Sequence, residues 1–185
     1  MGVTVTNLTE GPATLYTAPV GSTEPLDTAL ATAPASPWVD MGGTQDGVMF
    51  RVAKTYKELE VDQIVDSPGR RITKRDASFK TNLAEPTLLN LTASLNEAAP
   101  TSGTGTLSYE PDVTDSSVQP GYKAFLLDCI APGGFRRRIT IRRGLSIDDV
   151  EMAYKKDGQT LVPVTFAAHY VSGSIKPYKV LDATA

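Results

Sequence analysis

The residues with the means to do chemistry are few, and their spacing decides what they can do. Glu58, Glu60 and Asp62 alternate with Leu59, Val61 and Gln63, so in an extended chain the three carboxylates share one face. Grouped carboxylates bind calcium, or supply the acid and base of a glycosidase, when they converge on a point. Strung along a strand they lie in a line, and neither chemistry follows. His169 is the single histidine, so one chain cannot assemble a histidine-rich metal site or a histidine dyad. Cys129 is the single cysteine; beside Leu126, Leu127 and Ile130 it reads as a buried thiol, with no close cation to favour the thiolate. There is no Gly-x-Ser-x-Gly and no phosphate-loop pattern, and Gly42 to Gly47 lacks the glycine spacing of a dinucleotide site. With no catalytic constellation, no enzymatic activity, cofactor or metal is expected.

The densest charge cluster lies in Phe135 to Arg143, with five arginines. Extended, this stretch puts Phe135, Arg137, Ile139, Ile141 and Arg143 on one side and Arg136, Arg138, Thr140 and Arg142 on the other. Such a cluster invites a nucleic-acid reading. Against it, the net charge of the 185-residue chain is −3, unlike that of a protein that grips phosphates. The strand expected next supplies Asp148, Asp149 and Glu151, so cross-strand and intersubunit ion pairs of Arg136, Arg138 and Arg142 are the expectation. On that strand Val150, Met152 and Tyr154 should alternate inward.

The elements that must position these groups are mostly strands. Thr, Ser, Gly, Ala, Pro and Val are plentiful and aromatics few, the composition of a β-rich, loop-rich protein. The length fits a single domain over residues 1–185 that buries a sizeable core. The organising stretch is a hairpin over 54–83, with arms Tyr56 to Asp66 and Arg70 to Thr81 hinged at Ser67-Pro68-Gly69. Arms of about 11 or 12 residues span about 35 to 40 Å at 3.3 Å per residue, longer than the core of a small domain. On the return arm, Ile72, Lys74, Asp76, Ser78 and Lys80 should oppose Arg71, Thr73, Arg75, Ala77, Phe79 and Thr81, leaving neither face an apolar stripe. A polar two-sided ribbon is either solvated or paired with another subunit.

Around the hairpin we expect an N-terminal arm over 1–12, a first strand over Ala13 to Val20, and an aperiodic surface connection over 22–37. One helix is expected over 85–97, opened by Glu85-Pro86 with Leu88, Leu91 and Leu95 at helical spacing. Thr101 to Thr106 should be a flexible loop and Leu107 to Tyr109 a short strand. Buried strands follow over Tyr122 to Ala131 and Leu161 to Tyr170, and a last one at Tyr178 to Leu181, about ten in all. Trp38, Leu88, Leu91, Leu95 and Phe166 are the expected core anchors. The N-terminus has no basic start followed by an apolar run, and no stretch approaches the about 20 apolar residues of a membrane span, so synthesis and assembly in a cytoplasm are expected.

Several stretches together resemble the major tail tube proteins of long, non-contractile-tailed bacteriophages. They are Trp38 to Thr44 with Gly47-Val48, the arm Leu59 to Gln63, the helix Glu85 to Leu91, and Lys156 to Phe166; their order and spacing carry the likeness over most of 38–170. The resemblance implies a mainly β, sandwich- or barrel-like subunit with one flanking helix and a long hairpin. It implies hexameric rings with a continuous β-barrel, stacked into a hollow virion tube for double-stranded DNA. The implied partners are further copies of the chain, a tape measure protein, a tail terminator and baseplate proteins. An acidic lining would repel DNA phosphates; Glu58, Glu60 and Asp62 are the candidates, with Asp66 and Asp76 behind them. Related ring proteins (a tail terminator, a baseplate hub, the inner tube of a contractile injection system) and a β-sandwich binding module are the alternatives.

Overall fold

A computed structural model of the protein describes residues 2–26, 31–111 and 115–183; the central part of the 22–37 connection and part of the loop after Pro111 lie outside them. The described chain is mainly β. Its strands are β1 (Thr14–Pro19), β2 (Val39–Asp40), β3 (Thr44–Leu59), β4 (Gly69–Leu83), β5 (Thr101–Gly103), β6 (Thr106–Ser108), β7 (Lys123–Ile130), β8 (Arg136–Ser146), β9 (Val162–Ala168) and β10 (Tyr178–Asp182), with one helix, α1 (Leu88–Ser94).

Eight strands form one antiparallel sheet in the order β2-β1-β7-β8-β9-β4-β3, with β10 also paired to β8. β8 has eleven residues and two neighbours along one edge: Arg137 to Ile141 pair with β10, and Gly144 to Ser146 pair with β9. Changing partners part-way along a strand is how a sheet turns a corner. Gly144 sits at that change, beside a register shift against β7, and a Cβ there would come within 2.7 Å of the Phe125 ring. Phe125 in turn stacks on Phe166, with ring centroids 3.9 Å apart. The main core gathers inward side chains of both halves, including Leu15, Phe79, Leu83, Phe125, Ile141, Val164 and Phe166.

β7 is buried on both faces, which explains its near-continuous apolar run. Phe125 and Leu127 join the main core, while Ala124 and Leu126 pack with Ala18 and Trp38 on the far side. Described parts of the connection before Trp38 cover this second face. The Trp38 indole donates to Thr23 O at 3.0 Å, Arg138 donates to Thr32 O at 2.9 Å, and Glu24 binds Arg142. These described parts form a lid on the sheet while staying largely at the surface.

α1 is shorter than the 85–97 expected. Thr87 takes the N-cap, its hydroxyl accepting from Asn90 N at 3.2 Å, while Glu85 turns back to accept from Gly43 N. Asn96 ends the helix at φ +62, and its side chain exchanges two hydrogen bonds with the Ser146 backbone, of 2.7 and 2.8 Å. The face turned inward is small and polar: Asn90, Thr92, Ala93 and Ser94 are buried. Asn90 donates to Met41 O and to Glu85 O at 2.8 and 2.9 Å, which fixes the orientation of the helix. Leu88 and Leu91 are therefore only half-buried and Leu95 is exposed, correcting their assignment as core anchors. Trp38 and Phe166 are buried.

Two further expectations are corrected. The segment expected as a strand around Asp148 to Tyr154 is not one. Ile147 still donates to Thr165 O, but the next side chain, Asp148, takes the Thr165 hydroxyl, a bond that ends the ladder. Val150 and Met152 nevertheless pack against the core, while Tyr154 is exposed. The expected flexible loop at Thr101 to Thr106 is mostly a small hairpin of β5 and β6, turning through Gly105 at φ +69.

Candidate functional site

The hairpin of β3 and β4 is where the fold departs from a closed body. Its base belongs to the sheet: Phe50 lies opposite Phe79, their rings 5.6 Å apart, and Ala77, Phe79, Thr81 and Leu83 are buried. Beyond Ala77 every residue from Lys54 to Pro68 and from Arg70 to Asp76 is exposed. The eight residues of β4 beyond Ala77, Gly69 to Asp76, at 3.3 Å each carry the ribbon about 26 Å beyond the body.

Two irregularities set which side chains share a face. At the base, two extra residues of β3 interrupt the ladder, Asp46 and Gly47 take left-handed conformations, and the Thr81 hydroxyl donates to Gly47 O at 2.8 Å. Farther out, Thr55 pairs with Lys74 but Tyr56 pairs with Ile72, leaving Thr73 as a one-residue bulge. A single extra residue reverses the alternation beyond it. Ile72 and Arg70 thus fall on the side of Arg75 and Ala77, a correction to the faces read from strict alternation. Val52, Tyr56 and Ile72 now lie on one face, continuous with the core face of Phe50 and Phe79, so the ribbon does carry an apolar stripe.

The acidic face expected from Glu58, Glu60 and Asp62 is not formed. β3 ends at Leu59, and residues 60–68 make the connecting loop, so Glu60 and Asp62 lie in the loop and only Glu58 is on a strand. Glu58 is opposite Arg70 and pairs with it at 3.6 Å; a hydrogen bond from Ser67 and the Arg70 charge hold its carboxyl below the usual range. The ribbon body is cationic. Between 51–59 and 69–76 it carries Arg51, Lys54, Lys57, Arg70, Arg71, Lys74 and Arg75 against Glu58 and Asp76. The tip loop reverses the sign, with Glu60, Asp62 and Asp66 and no cation.

The β8 arginines are used differently. Arg136 and Arg138 both reach Asp128 on β7, at 3.1 and 3.3 Å, and Asp128 and Arg138 are buried. Arg142 holds Glu24 with two of its nitrogens and donates to Lys176 O at 2.8 Å. Arg137 makes a two-pronged pair with Asp182, its cross-strand neighbour, at 2.6 and 2.7 Å. Arg143 lies over the Tyr122 ring, 3.9 Å from its centroid. The partners of Arg136, Arg138 and Arg142 are thus within the chain, and they are not Asp148, Asp149 or Glu151, which are exposed. Sequence reasoning missed Asp128 and Glu24. Asp128 had a signal, since a carboxylate inside an apolar run must be paired to be buried.

Burial pushes the Cys129 thiol up, against the lowering effect of Arg137, which disfavours a reactive thiolate. Among the described residues no group of three or more His, Cys, Asp or Glu side chains is placed to hold a metal, and no helix is long and apolar enough to cross a membrane.

The family model for phage tail tube proteins matches residues 5–183, nearly the whole chain. The chain belongs to the phage tail tube protein family. It is a structural component of the phage tail, and its place is the virion. No curated protein matches it. Among solved structures, it is similar to a chain in the cryo-EM structure of the anti-feeding prophage baseplate, 6-fold symmetrised, with 8% identity, a TM-score of 0.46 and 100% of both chains covered.

Proposed function

We propose that the chain assembles with further copies of itself into hexameric rings that stack into a hollow tail tube, through which phage DNA is delivered, and that it has no enzymatic role. The observation that carries this reading is the exposed ribbon: two strands, an apolar stripe and a long unpaired edge on β3, all outside the body. Exposed edges are removed by pairing, and a ring of copies removes every edge at once. In such a tube the tip loop, with Glu60, Asp62 and Asp66, has the sign that repels DNA phosphates, and Glu58 contributes less because Arg70 already holds it. The tape measure protein inside the tube, and the terminator and baseplate proteins at its ends, complete the assembly. Electron microscopy of the purified chain at high concentration tests this. Hollow tubes with six-fold end views are expected; isolated rings would place the chain among terminator or hub proteins, and monomers at every concentration would overturn the reading.

A further inference from the structure

The ribbon's apolar stripe also carries two like charges face to face. Lys54 and Arg75 are directly opposite in the register, on the same face as Val52, Tyr56 and Ile72. Directly opposed like charges destabilise a strand pair, and apolar side chains left in water contribute nothing to stability. Neither side chain has an ion-pair partner among the described residues. The face therefore calls for a complement that is both acidic and apolar, and the ribbon's own body cannot supply it, because the ribbon projects away from it.

Most carboxylates of the body are engaged. Asp128, Glu24 and Asp182 serve the β8 arginines, Glu85 accepts from Gly43, and Asp40 accepts from Gly42. Asp149 and Glu151, like Glu10, Glu110 and Asp157, have no ion-pair partner among the described residues; what sets Asp149 and Glu151 apart is their apolar flank. They lie in a segment bounded by two exposed large apolar side chains, Ile147 and Tyr154. The segment is held in place although it is not a strand: Ile147 donates to Thr165 O at 3.0 Å, the Thr165 hydroxyl binds Asp148, and Val150 and Met152 pack inward.

We infer that the Val52, Tyr56 and Ile72 face of the ribbon docks on residues 147–154 of a second copy of this chain, with Lys54 and Arg75 meeting Asp149 and Glu151. The inference rests on the self-assembly proposed above and names the two surfaces that meet. Burial of the apolar stripe supplies the attraction, and the charge pairs fix the register and reject wrong partners.

Charge reversal in the full-length chain tests it, read by sedimentation velocity and electron microscopy. The K54E/R75E and D149K/E151K pairs should each raise the concentration needed for assembly by at least about tenfold, a loss of about 1.4 kcal/mol. All four changes together should restore assembly. R51E/K57E, on the opposite face of the ribbon, should assemble like the parent. All of these positions are exposed, so the unassembled variants should melt like the parent. Parent-like assembly by K54E/R75E overturns the inference, as does a quadruple variant that stays impaired. A parent chain that never assembles overturns the tube reading as well; a parent that assembles beside indifferent variants overturns this inference alone.

Discussion

β8 and the distal hairpin are both arginine-rich, and they use the residue in opposite ways. On β8 the arginines at 136, 137, 138 and 142 each find a carboxylate within the chain, and at the buried Arg138 an unpaired charge would cost several kcal/mol. On the ribbon only Arg70 and Lys74 have carboxylate partners among the described residues, and both pairs are exposed. There water and counterions do the work, at almost no cost to the isolated chain. The same residue type is thus a structural element in one place and an uncommitted surface in the other. Burial decides which, and it orders the effects expected from removing each partner.

The largest effect is expected at Asp128. It is the shared partner of Arg136 and Arg138, and the side chains of both Asp128 and Arg138 are 1% exposed. D128A should destabilise the fold by about 3 to 5 kcal/mol, because it strands a buried guanidinium. Alanine at Lys54 or Arg75 should move stability by less than about 0.5 kcal/mol. Urea denaturation of the unassembled chain checks both. Equal effects at the two sites would erase the contrast.

Glu24 should fall between these limits. Its ion pair with Arg142 is 28% and 22% exposed on the two sides, and the Lys179 ammonium stands 4.0 Å from its other oxygen. E24A should cost roughly 1 to 2 kcal/mol, the worth of a partly screened charge-assisted bond together with some loosening of the lid over β7 and β8. A cost as large as that of D128A would mean that the lid, more than the ion pair, is what Glu24 maintains.

How much of this was legible in the sequence varied with how local the cause was. The apolar run of β7, the existence of the hairpin and the mainly β character follow from periodicity and turn residues, and the family resemblance pointed to the tail tube. The partner of each charge did not follow, because it depends on which strands become neighbours. β7 pairs with β8 across a turn and brings Asp128 to Arg138, while Glu24 arrives from a distant segment. The bulge at Thr73 was equally invisible. One unpaired residue moved Ile72 to the other face and turned an apparently polar ribbon into one with an apolar stripe. The acidic line of Glu58, Glu60 and Asp62 failed for a related reason: alternation holds only while the strand lasts, and β3 stops at Leu59. The leucines of α1 misled because a seven-residue helix has little face to bury, and Asn90 had already chosen which way it turns.

A small effect, and the sharpest use of the comparison, is expected at the pair of Arg137 and Asp182. Arg137 belongs to β8 yet behaves like a ribbon cation, since it and Asp182 are 35% and 39% exposed despite their two-pronged geometry. The hydrogen bond from Arg137 holds the Asp182 carboxyl below its usual range, with the Arg137 charge adding to it and partial burial opposing. Because the folded value is depressed, the pair's contribution is present above the ordinary carboxylate range and is lost as pH falls through the folded value. D182N should therefore cost less than about 1 kcal/mol at neutral pH, and less still in high salt. Its stability curve should converge on that of the parent in acid, whereas a D128A deficit persists into high salt because its charges are out of reach of counterions. If D182N matched D128A in size or in salt response, burial would not be the variable that separates the two regions.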